Sequence, residues 1–303
     1  MKSIIHYLKH PNEIGIIFLG KLGNWLPDKP YLKAKLRLVM GYPLNLNEPK
    51  TFAEKLQWLK LYDRKPIYHQ MVDKVESKRL IDSIVGQGYT IPTLGVYDSF
   101  EQIDWATLPQ QFILKATHDS GSYFIVKDKN QVDKQKCKKQ LYIHWDKDYY
   151  KGHREWQYKG LKSRIIAEPL IANPKDLCEY KFFCFNGKPK MYQTCYDRDN
   201  SKGGAILNFF DLDCNLLDIH DAGHVRVSDK KTPAPINLTQ MIKLCALLSK
   251  DTFFIRIDFY EVNGKLYVGE LTLHENAGFC SFTPDQWNYT LGEWIHLPID
   301  KRE

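Results

Sequence analysis

The stretch FFIRIDFYEVNGKLYVGELTLHENAGF, residues 253–279, decides the fold that this sequence predicts. Aromatic and β-branched residues fill both of its halves, and Asn263-Gly264 separates them, a pattern typical of a β-hairpin. A two-residue turn would place Asp258 and Glu270 on opposite faces of the hairpin. A three-residue turn with a left-handed Gly264 would instead make them diagonal neighbours on one face, about 7 to 8 Å apart. We predict the three-residue turn, because two carboxylates on one face can share hard cations.

The predicted carboxylate face also carries Arg256 and Thr272. Acidic residues on a hairpin most often form its solvated side. Glu270, however, lies on a strand rich in apolar residues, which are Tyr267, Val268, Leu271 and Leu273. This pattern indicates a largely buried strand, in which a carboxylate needs a partner. The hairpin therefore predicts a site for magnesium and a polyphosphate.

Length and composition favour a globular protein of one large domain or two to three lobes. The chain has 303 residues, of which 43% are hydrophobic, so it can bury a sizeable core. We expect neither a signal peptide nor a membrane span, because no apolar run approaches 18 residues. The seven cysteines are scattered without a C-x-x-C motif, which predicts neither a disulfide framework nor a zinc site. A reducing cytoplasm is the expected compartment.

Positive charge is concentrated in residues 1–50, which hold seven Lys and one Arg against three acidic residues, a net charge of +5. Short helical patterns broken by prolines predict a helical arm there. An arm with this charge would contact an anionic membrane surface, a glycolipid or another acidic partner, at the inner face of the cell membrane. A solvated basic surface is the alternative. No nucleic-acid-binding motif accompanies the charge, so we expect no nucleic acid partner.

Two further clusters carry groups that bind anions. In DKVESKRL, residues 73–80, Lys74 and Lys78 share one face of a predicted helix. Lys115 lies inside the apolar strand FILKA, where a lysine is seldom placed unless an anion holds it. Ser120, Gly121 and Ser122 follow it and offer backbone N–H groups and hydroxyls to a phosphate, although an ordinary hairpin turn has the same composition. One polyphosphate could gather both clusters and the hairpin.

The whole pattern predicts an α+β fold, with antiparallel hairpins in two sheets and helices packed on them. Asn186-Gly187 joins two further strands, EYKFFCF and PKMYQTCY, in a second hairpin. We divide the chain into a basic helical arm, an N-terminal lobe, a small lobe with the phosphate flap and a C-terminal lobe with the metal site: residues 1–50, 51–110, 111–170 and 171–303.

Five strings in chain order resemble the TupA-like branch of the ATP-grasp superfamily, named after a teichuronopeptide biosynthesis protein. They are NEPKTFAEKLQWLKLYD, DKVESK, LPQQFILKATHDSG, EYKFFCFNGKP and RIDFYEVNGKLYVGELT. The resemblance spans about Leu44 to Phe279. It implies an ATP-grasp fold, in which the nucleotide is held between two antiparallel-sheet lobes.

The resemblance also implies roles for individual residues. Lys78 and Lys115 would bind the phosphates of the nucleotide, and Ser120, Gly121 and Ser122 would form a flap over them. The hinge that binds the adenine would begin at Glu168, and the backbone of Leu170 and Ile171 would contact the purine edge. The carboxylate that binds the ribose would be Asp176 or Glu179. Arg256 would steady the transferring phosphoryl group. The ligands of two magnesium ions would be Asp258, Glu270 and Thr272, although many relatives have asparagine in place of Thr272. Candidates for the acceptor side are His118, Lys181, Arg198, His274 and Asn276.

The activity that the resemblance implies is ATP-dependent ligation of a carboxylate to an amine through an acyl phosphate. The carboxylate would belong to a uronic acid of a cell-surface polysaccharide or its precursor, and the second substrate would be a small amine. A sugar kinase of the same fold uses the same groups. A metal-dependent glycosyltransferase is a further alternative, because Asp211-Leu212-Asp213 and Asp197-Arg198-Asp199 are D-x-D motifs.

Overall fold

The computed structural model describes residues 11–173, 176–199, 204–222, 232 and 234–299. Its α-helices are α1 (Pro11–Leu22), α2 (Asp28–Met40), α3 (Phe52–Tyr62), α4 (Ile67–Val72), α5 (Glu76–Val85), α6 (Lys134–Leu141), α7 (Tyr150–His153), α8 (Leu238–Leu248) and α9 (Gln286–Glu293). Its strands are β1 (Gly95–Tyr97), β2 (Phe112–Ala116), β3 (Tyr123–Val126), β4 (Ile165–Pro169), β5 (Glu179–Phe185), β6 (Lys188–Asp199), β7 (Gly204–Asp211), β8 (His220–Asp221), β9 (Phe254–Val262), β10 (Lys265–Thr272) and β11 (Phe282–Thr283).

The strands form a four-stranded sheet in the order β1-β4-β2-β3 and a five-stranded sheet in the order β10-β9-β5-β6-β7. A small two-stranded sheet pairs β8 with β11. All pairings are antiparallel. The predicted α+β fold with two antiparallel sheets is therefore confirmed.

The β9–β10 hairpin differs from the prediction in its turn and agrees with it in its faces. Lys265 pairs with Val262, so the turn has two residues, Asn263 and Gly264, with φ of 52° and 75°. The predicted three-residue turn is wrong. Further along, a bulge at Gly269 shifts the register by one residue. Residues 270 and 258 consequently lie directly opposite each other, on the same face.

Tyr260 explains why a glycine occupies the bulge. A Cβ atom built on Gly269 would lie 2.5 Å from the Tyr260 ring, closer than any side chain can pack. Only glycine leaves room for the ring beside the bulged backbone. The register that brings the two carboxylates together thus depends on a contact between the two strands of the hairpin.

Helix boundaries follow local capping. Thr51 and Glu54 form a capping box at the start of α3. The prediction that Lys74 and Lys78 share one face of a helix is wrong, because the helix is interrupted between α4 and α5. There the Asp73 side chain accepts the N–H groups of Val75 and Glu76. Lys74 therefore lies in a linker and does not share a helix face with a residue of α5.

Three apolar cores hold these elements. One face of the five-stranded sheet packs against α2, α3 and α9, and the other face packs against α4, α5 and α8. The four-stranded sheet packs against α6 and the loop after β1. Successive side chains of β9 point to opposite faces of the sheet, and this decides which of them reach the candidate site. Ile255, Ile257 and Phe259 face α8, so Arg256 and Asp258 point to the opposite side.

The N-terminal region contributes to the first of these cores from α1 onward, beginning with Leu19. Leu32 and Leu36 are buried in the same core as Phe52 and Leu56 of α3. Residues 1–10 of the predicted arm lie outside the described residues. Among the described helices, none combines the length and the apolar character needed to cross a bilayer. The division of the chain into four segments stays a prediction.

Candidate functional site

A cavity of about 390 Å³ lies between the two large sheets. Strands β2 to β4 form one wall, β5, β9 and β10 form the other, and the α4–α5 region closes one side. The cavity brings together most of the residues that the sequence singled out, namely Lys78, Lys115, Ser120, Gly121, Ser122, Glu168, Leu170, Ile171, Glu179, Lys181 and Glu270. Lys74 of DKVESKRL also lines it.

Two lysines meet on one carboxylate at the wall of this cavity. The Oε1 atom of Glu168 binds the Lys78 ammonium, and its Oε2 atom lies 2.6 Å from the Lys115 Nζ atom. Burial alone would raise the pKa of Glu168, but the two ammonium groups outweigh it and hold the pKa below its usual value. Burial also lowers the pKa of Lys78, against the opposing effect of Glu168. The site thus carries two cations and one anion, a net positive charge that suits a polyphosphate.

The loop after β2 is held by buried side chains and leaves its tip at the cavity. The Asp119 carboxylate is buried and accepts hydrogen bonds from the Ser122 hydroxyl and from His144, whose Nδ1 atom lies 2.9 Å away. The Lys74 ammonium donates to the Asp119 carbonyl oxygen. Gly121 has a φ of 93°, a left-handed conformation that glycine adopts without strain. The tip of the loop thus brings Ser120, Gly121 and Ser122 to the cavity.

The chain leaves the four-stranded sheet at Pro169, which has no N–H group to donate to the ladder. The next two peptide groups, at Leu170 and Ile171, line the cavity and make no hydrogen bond with another described residue. Their open donors and acceptors, beside apolar side chains, fit the edge and faces of a purine. Of the two candidate ribose-binding carboxylates, Glu179 lines the cavity, whereas Asp176 is exposed in a turn.

Arg256 and Asp258 of β9 form a buried ion pair next to Glu270, and neither of the two lines the cavity. The Arg256 Nε and Nη2 atoms each donate to one Asp258 oxygen at 2.7 Å, and Nη1 binds Glu275. Lys181 adds a third cationic contact at 3.1 Å to Asp258 and 2.9 Å to Glu179. Burial and the Arg256 charge lower the pKa of Lys181, but the two carboxylates outweigh them and raise it.

The candidate magnesium ligands differ in accessibility. The Asp258 side chain has 0% exposure and its oxygens are occupied by cations, whereas the Glu270 side chain is 44% exposed. Glu270 is not buried as the sequence predicted, because the bulge turns it to the cavity. Its Oε2 atom lies 3.8 Å from Arg256 Nη2. No group of three or more His, Cys, Asp or Glu residues in the described part of the chain is arranged to hold a metal ion.

This donor set fits a cation bound jointly with phosphate oxygens better than a cation held by protein alone. Glu270 offers an exposed carboxylate, and Thr272 follows it on the same face, opposite Arg256 in the ladder. Asp258 can offer a lone pair to a cation only where Arg256 or Lys181 releases it. Magnesium commonly takes few protein ligands and completes its shell with phosphate and water.

After β10, residues 274–278 make a left-handed turn. Asn276, Ala277 and Gly278 have φ of 44°, 53° and 72° in succession, an arrangement that costs free energy for the residues with a Cβ atom. Two side chains of α3 hold the turn: Lys60 donates to the Ala277 carbonyl and Gln57 donates to the Gly278 carbonyl at 2.6 Å. This turn places the Glu275 carboxylate against the guanidinium of Arg256.

Lys60 belongs to a buried network of charges that sequence reasoning missed. Its ammonium also donates to the His153 carbonyl at 2.9 Å, and it faces Glu155. Burial lowers the pKa of Lys60 and raises the pKa of Glu155, while the attraction between the two opposes both shifts. Sequence spacing carried no signal for this network, because its members come from α3 and from the end of α7 and the residues after it, about 90 residues later.

The candidate acceptor residues are scattered. Lys181 alone among them lines the cavity. His118 is buried against Trp145, and the buried His274 contacts Gln157, 3.0 Å from its Nδ1 atom. Burial and the Lys60 charge lower the pKa of His274 well below its usual value. Asn276 is exposed, and the side chain of Arg198 lies outside the described residues.

Curated proteins give no match. Among solved structures, the D-alanine–D-alanine ligase from Bacillus anthracis complexed with ATP is 16% identical, with a TM-score of 0.39 over 67% of this chain and 53% of that chain. The ATP-grasp ligase PsnB complexed with minimal precursor, Mg and ADP is 10% identical, with a TM-score of 0.39 over 73% and 57%. The D-alanine–D-alanine ligase from Helicobacter pylori is 16% identical, with a TM-score of 0.44 over 81% and 69%.

This chain therefore spans little more than half of the length of the first two of these structures. A family model described as TupA-like ATPgrasp matches residues 54–296, from α3 to just beyond α9. That range contains every residue that lines the cavity between the sheets. The predicted ATP-grasp fold is confirmed, and the chain belongs to the TupA-like ATP-grasp family.

Proposed function

We propose that the protein is an ATP-dependent ligase that joins a carboxylate to an amine. The observation that carries the proposal is the cavity between the sheets, which has lysines and a flap on one wall and a carboxylate beside an arginine on the other. ATP would be held by the peptide groups after Pro169, by Glu179 at the ribose, and at the phosphates by Lys78, Lys115, Ser120, Gly121 and Ser122. Magnesium would be held by Glu270 and Thr272, joined by Asp258 where its arginine partner releases it.

Each step then needs positioning and charge more than a nucleophilic side chain. An oxygen of the acceptor carboxylate forms a bond to the γ-phosphorus of ATP, the bond to the β-bridging oxygen breaks, and ADP leaves. An amine attacks the acyl carbon of the resulting acyl phosphate, inorganic phosphate leaves, and an amide remains after loss of a proton. Lys115 and Arg256 would bear the negative charge of the transferring group. Bound magnesium would supply further charge neutralisation.

The environment of the candidate bases favours a carboxylate acceptor over the hydroxyl acceptor of a kinase. A hydroxyl must lose a proton to a base, whereas a carboxylate is ionised at neutral pH. Near Glu270, His274 is buried and turned toward Gln157, and Glu275 is paired with Arg256. Neither lines the cavity. A ligase is therefore better supported than a kinase.

The substrates are proposed from family membership. The carboxylate would belong to a uronic acid of a cell-surface polysaccharide or its precursor, and the amine to an amino acid. Because ATP is supplied in the cytoplasm, the reaction would take place there. For the glycosyltransferase alternative, Asp211 is informative: it accepts the N–H groups of Asp213 and Asn215 at 3.0 and 2.8 Å, so this D-x-D motif stabilises a turn.

Trapping with hydroxylamine tests the proposal. With ATP, magnesium and an oligosaccharide that contains glucuronic acid, we expect a hydroxamate, ADP and inorganic phosphate. Asp213→Asn, which changes the exposed end of the D-x-D turn, should leave the yield unchanged. A phosphate ester that stays on a neutral sugar would instead establish the kinase. Loss of activity on a nucleotide sugar in Asp213→Asn would establish the glycosyltransferase.

A further inference from the structure

An apolar surface on α1 is turned away from the protein. Ile14, Ile17 and Phe18 are 51%, 45% and 64% exposed, and their spacing places them on one side of the helix. Trp25, 90% exposed, and Leu26 follow directly after the helix. We call these five residues the anchor face. Single exposed apolar residues are ordinary, but a helical row that ends in an exposed tryptophan is not.

The opposite side of α1 is packed in place. Leu19 is buried in the first core. Gly15 approaches α2 so closely that a Cβ atom there would lie 2.7 Å from the Leu38 side chain. Because this contact fixes the rotation of the helix, the outward position of Phe18 is set by packing against α2 and not by the helix alone.

Helix α2, which packs against α1, carries a row of exposed basic residues. Lys29, Lys33 and Arg37 recur every four residues, are exposed, and make no ion pair with a described residue. Lys21 extends the row of exposed residues on α1 with a further charge. The acidic residue of α2, Asp28, is neutralised instead by Arg64 and by a second arginine from the segment after α7. The two helices therefore expose apolar side chains, mainly on α1, and positively charged side chains, mainly on α2.

We propose that the anchor face and this basic row dock the protein on an anionic lipid surface. Tryptophan and long apolar side chains enter the boundary between headgroups and acyl chains, and lysine and arginine bind the phosphates of the headgroups. A neutral protein partner would not explain the exposed cations of α2, and a nucleic acid would not explain the exposed side chain of Phe18. The proposal is independent of the ligase chemistry, because no residue of α1 or α2 lines the cavity.

Cosedimentation of the full chain with vesicles tests this inference. On vesicles of phosphatidylglycerol and phosphatidylcholine at low salt we expect binding, with a loss of about tenfold or more on pure phosphatidylcholine or at high salt. Quenching of tryptophan fluorescence by brominated lipid should fall in Trp25→Phe. Absence of binding to the anionic vesicles at low salt would overturn the proposal.

Variants with matched controls separate the two contributions. Ile17→Asp with Phe18→Asp, and separately Lys29→Glu with Lys33→Glu and Arg37→Glu, should each lower the partition coefficient about tenfold or more. Leu247→Asp, at an exposed leucine of α8, is the control for the first, and Lys127→Glu with Lys136→Glu and Lys139→Glu is the control for the second. Equal losses in the controls would overturn the proposal. A dimer in light scattering that Phe18→Asp dissociates would do the same and assign the face to a second copy of the chain.

Discussion

The guanidinium of Arg256 binds both oxygens of Asp258, with Nε and Nη2 each 2.7 Å from one of them. Two parallel charge-assisted hydrogen bonds of this kind fix both partners in position. The carboxylate is fully buried, so a cation that approaches it competes with the arginine for the same lone pairs. Arrival of a metal and release of Arg256 toward a phosphate are therefore linked events in the function proposed above.

Removing the arginine should strongly destabilise the fold. Arg256→Met leaves Asp258 buried with Lys181 as its remaining cationic partner, and loss of one member of a buried pair costs about 3 to 5 kcal/mol. Urea unfolding measures the change. Arg79→Met, which removes an exposed arginine paired with Glu76, should change the free energy of unfolding by less than about 0.5 kcal/mol. A similar small change in Arg256→Met would contradict the central place of the pair.

Removing Lys115 should weaken nucleotide binding without unfolding the protein. Lys115→Met leaves Glu168 paired with Lys78, so the carboxylate keeps a partner. Loss of a charged contact to phosphate should reduce the affinity for magnesium-ATP by about 1.5 to 3 kcal/mol in calorimetry. Lys162→Met, at an exposed lysine paired with Asp98, is the control. Unchanged affinity in folded Lys115→Met would remove this lysine from the site.

Neutralising Glu270 should separate binding from turnover. Glu270→Gln keeps the shape of an exposed side chain and removes a charge that would hold magnesium where negative charge develops in the transition state. We expect most of the nucleotide affinity to remain and ADP formation to cease. Calorimetry and a coupled ADP assay on one preparation give both values. Turnover at the wild-type rate would show that the proposed metal site lies elsewhere.

A methyl group on the bulge should disturb the hairpin. Gly269→Ala places a Cβ atom against the Tyr260 ring, and overpacking of this kind costs about 1 to 3 kcal/mol. Tyr260 donates to Glu179 at 2.7 Å, so displacement of the ring should also weaken nucleotide binding. Gly20→Ala, in α1 with no atom near its Cβ position, should be neutral or stabilising. Equal stability of the two variants would show that the bulge tolerates a side chain.

Stability should fall on acidification through His153. Burial, with the charges of Lys35 and Lys60, lowers the pKa of His153 to about 3. Between about pH 6.5 and 3 the unfolded chain therefore binds a proton that the folded chain excludes, and stability is lost as the pH falls, by up to about 1.4 kcal/mol per pH unit. His153→Asn keeps an acceptor and removes the titration. Urea unfolding at several pH values should give a shallower dependence in the variant, and an unchanged slope would assign the effect to other groups.

Local patterns in the sequence determined the elements and the composition of the site. The β9–β10 hairpin follows from β-branched and aromatic residues around Asn263-Gly264, and the start of α3 follows from Thr51 and Glu54. Lys115 in an apolar strand signalled an anion, since an unpaired ammonium is costly to bury. These features depend on residues close in sequence, where periodicity and capping are specific.

Tertiary contacts alone decided the register and the partners. The bulge at Gly269 forms where the Tyr260 ring lies across the backbone, a contact that the spacing of charges does not encode. Lys115 meets Glu168, and the Ala277 carbonyl meets Lys60 from a helix more than 200 residues earlier. Such pairings form between segments that the packing of sheets and helices brings together. Their free energies depend on burial, and burial is a property of the assembled fold.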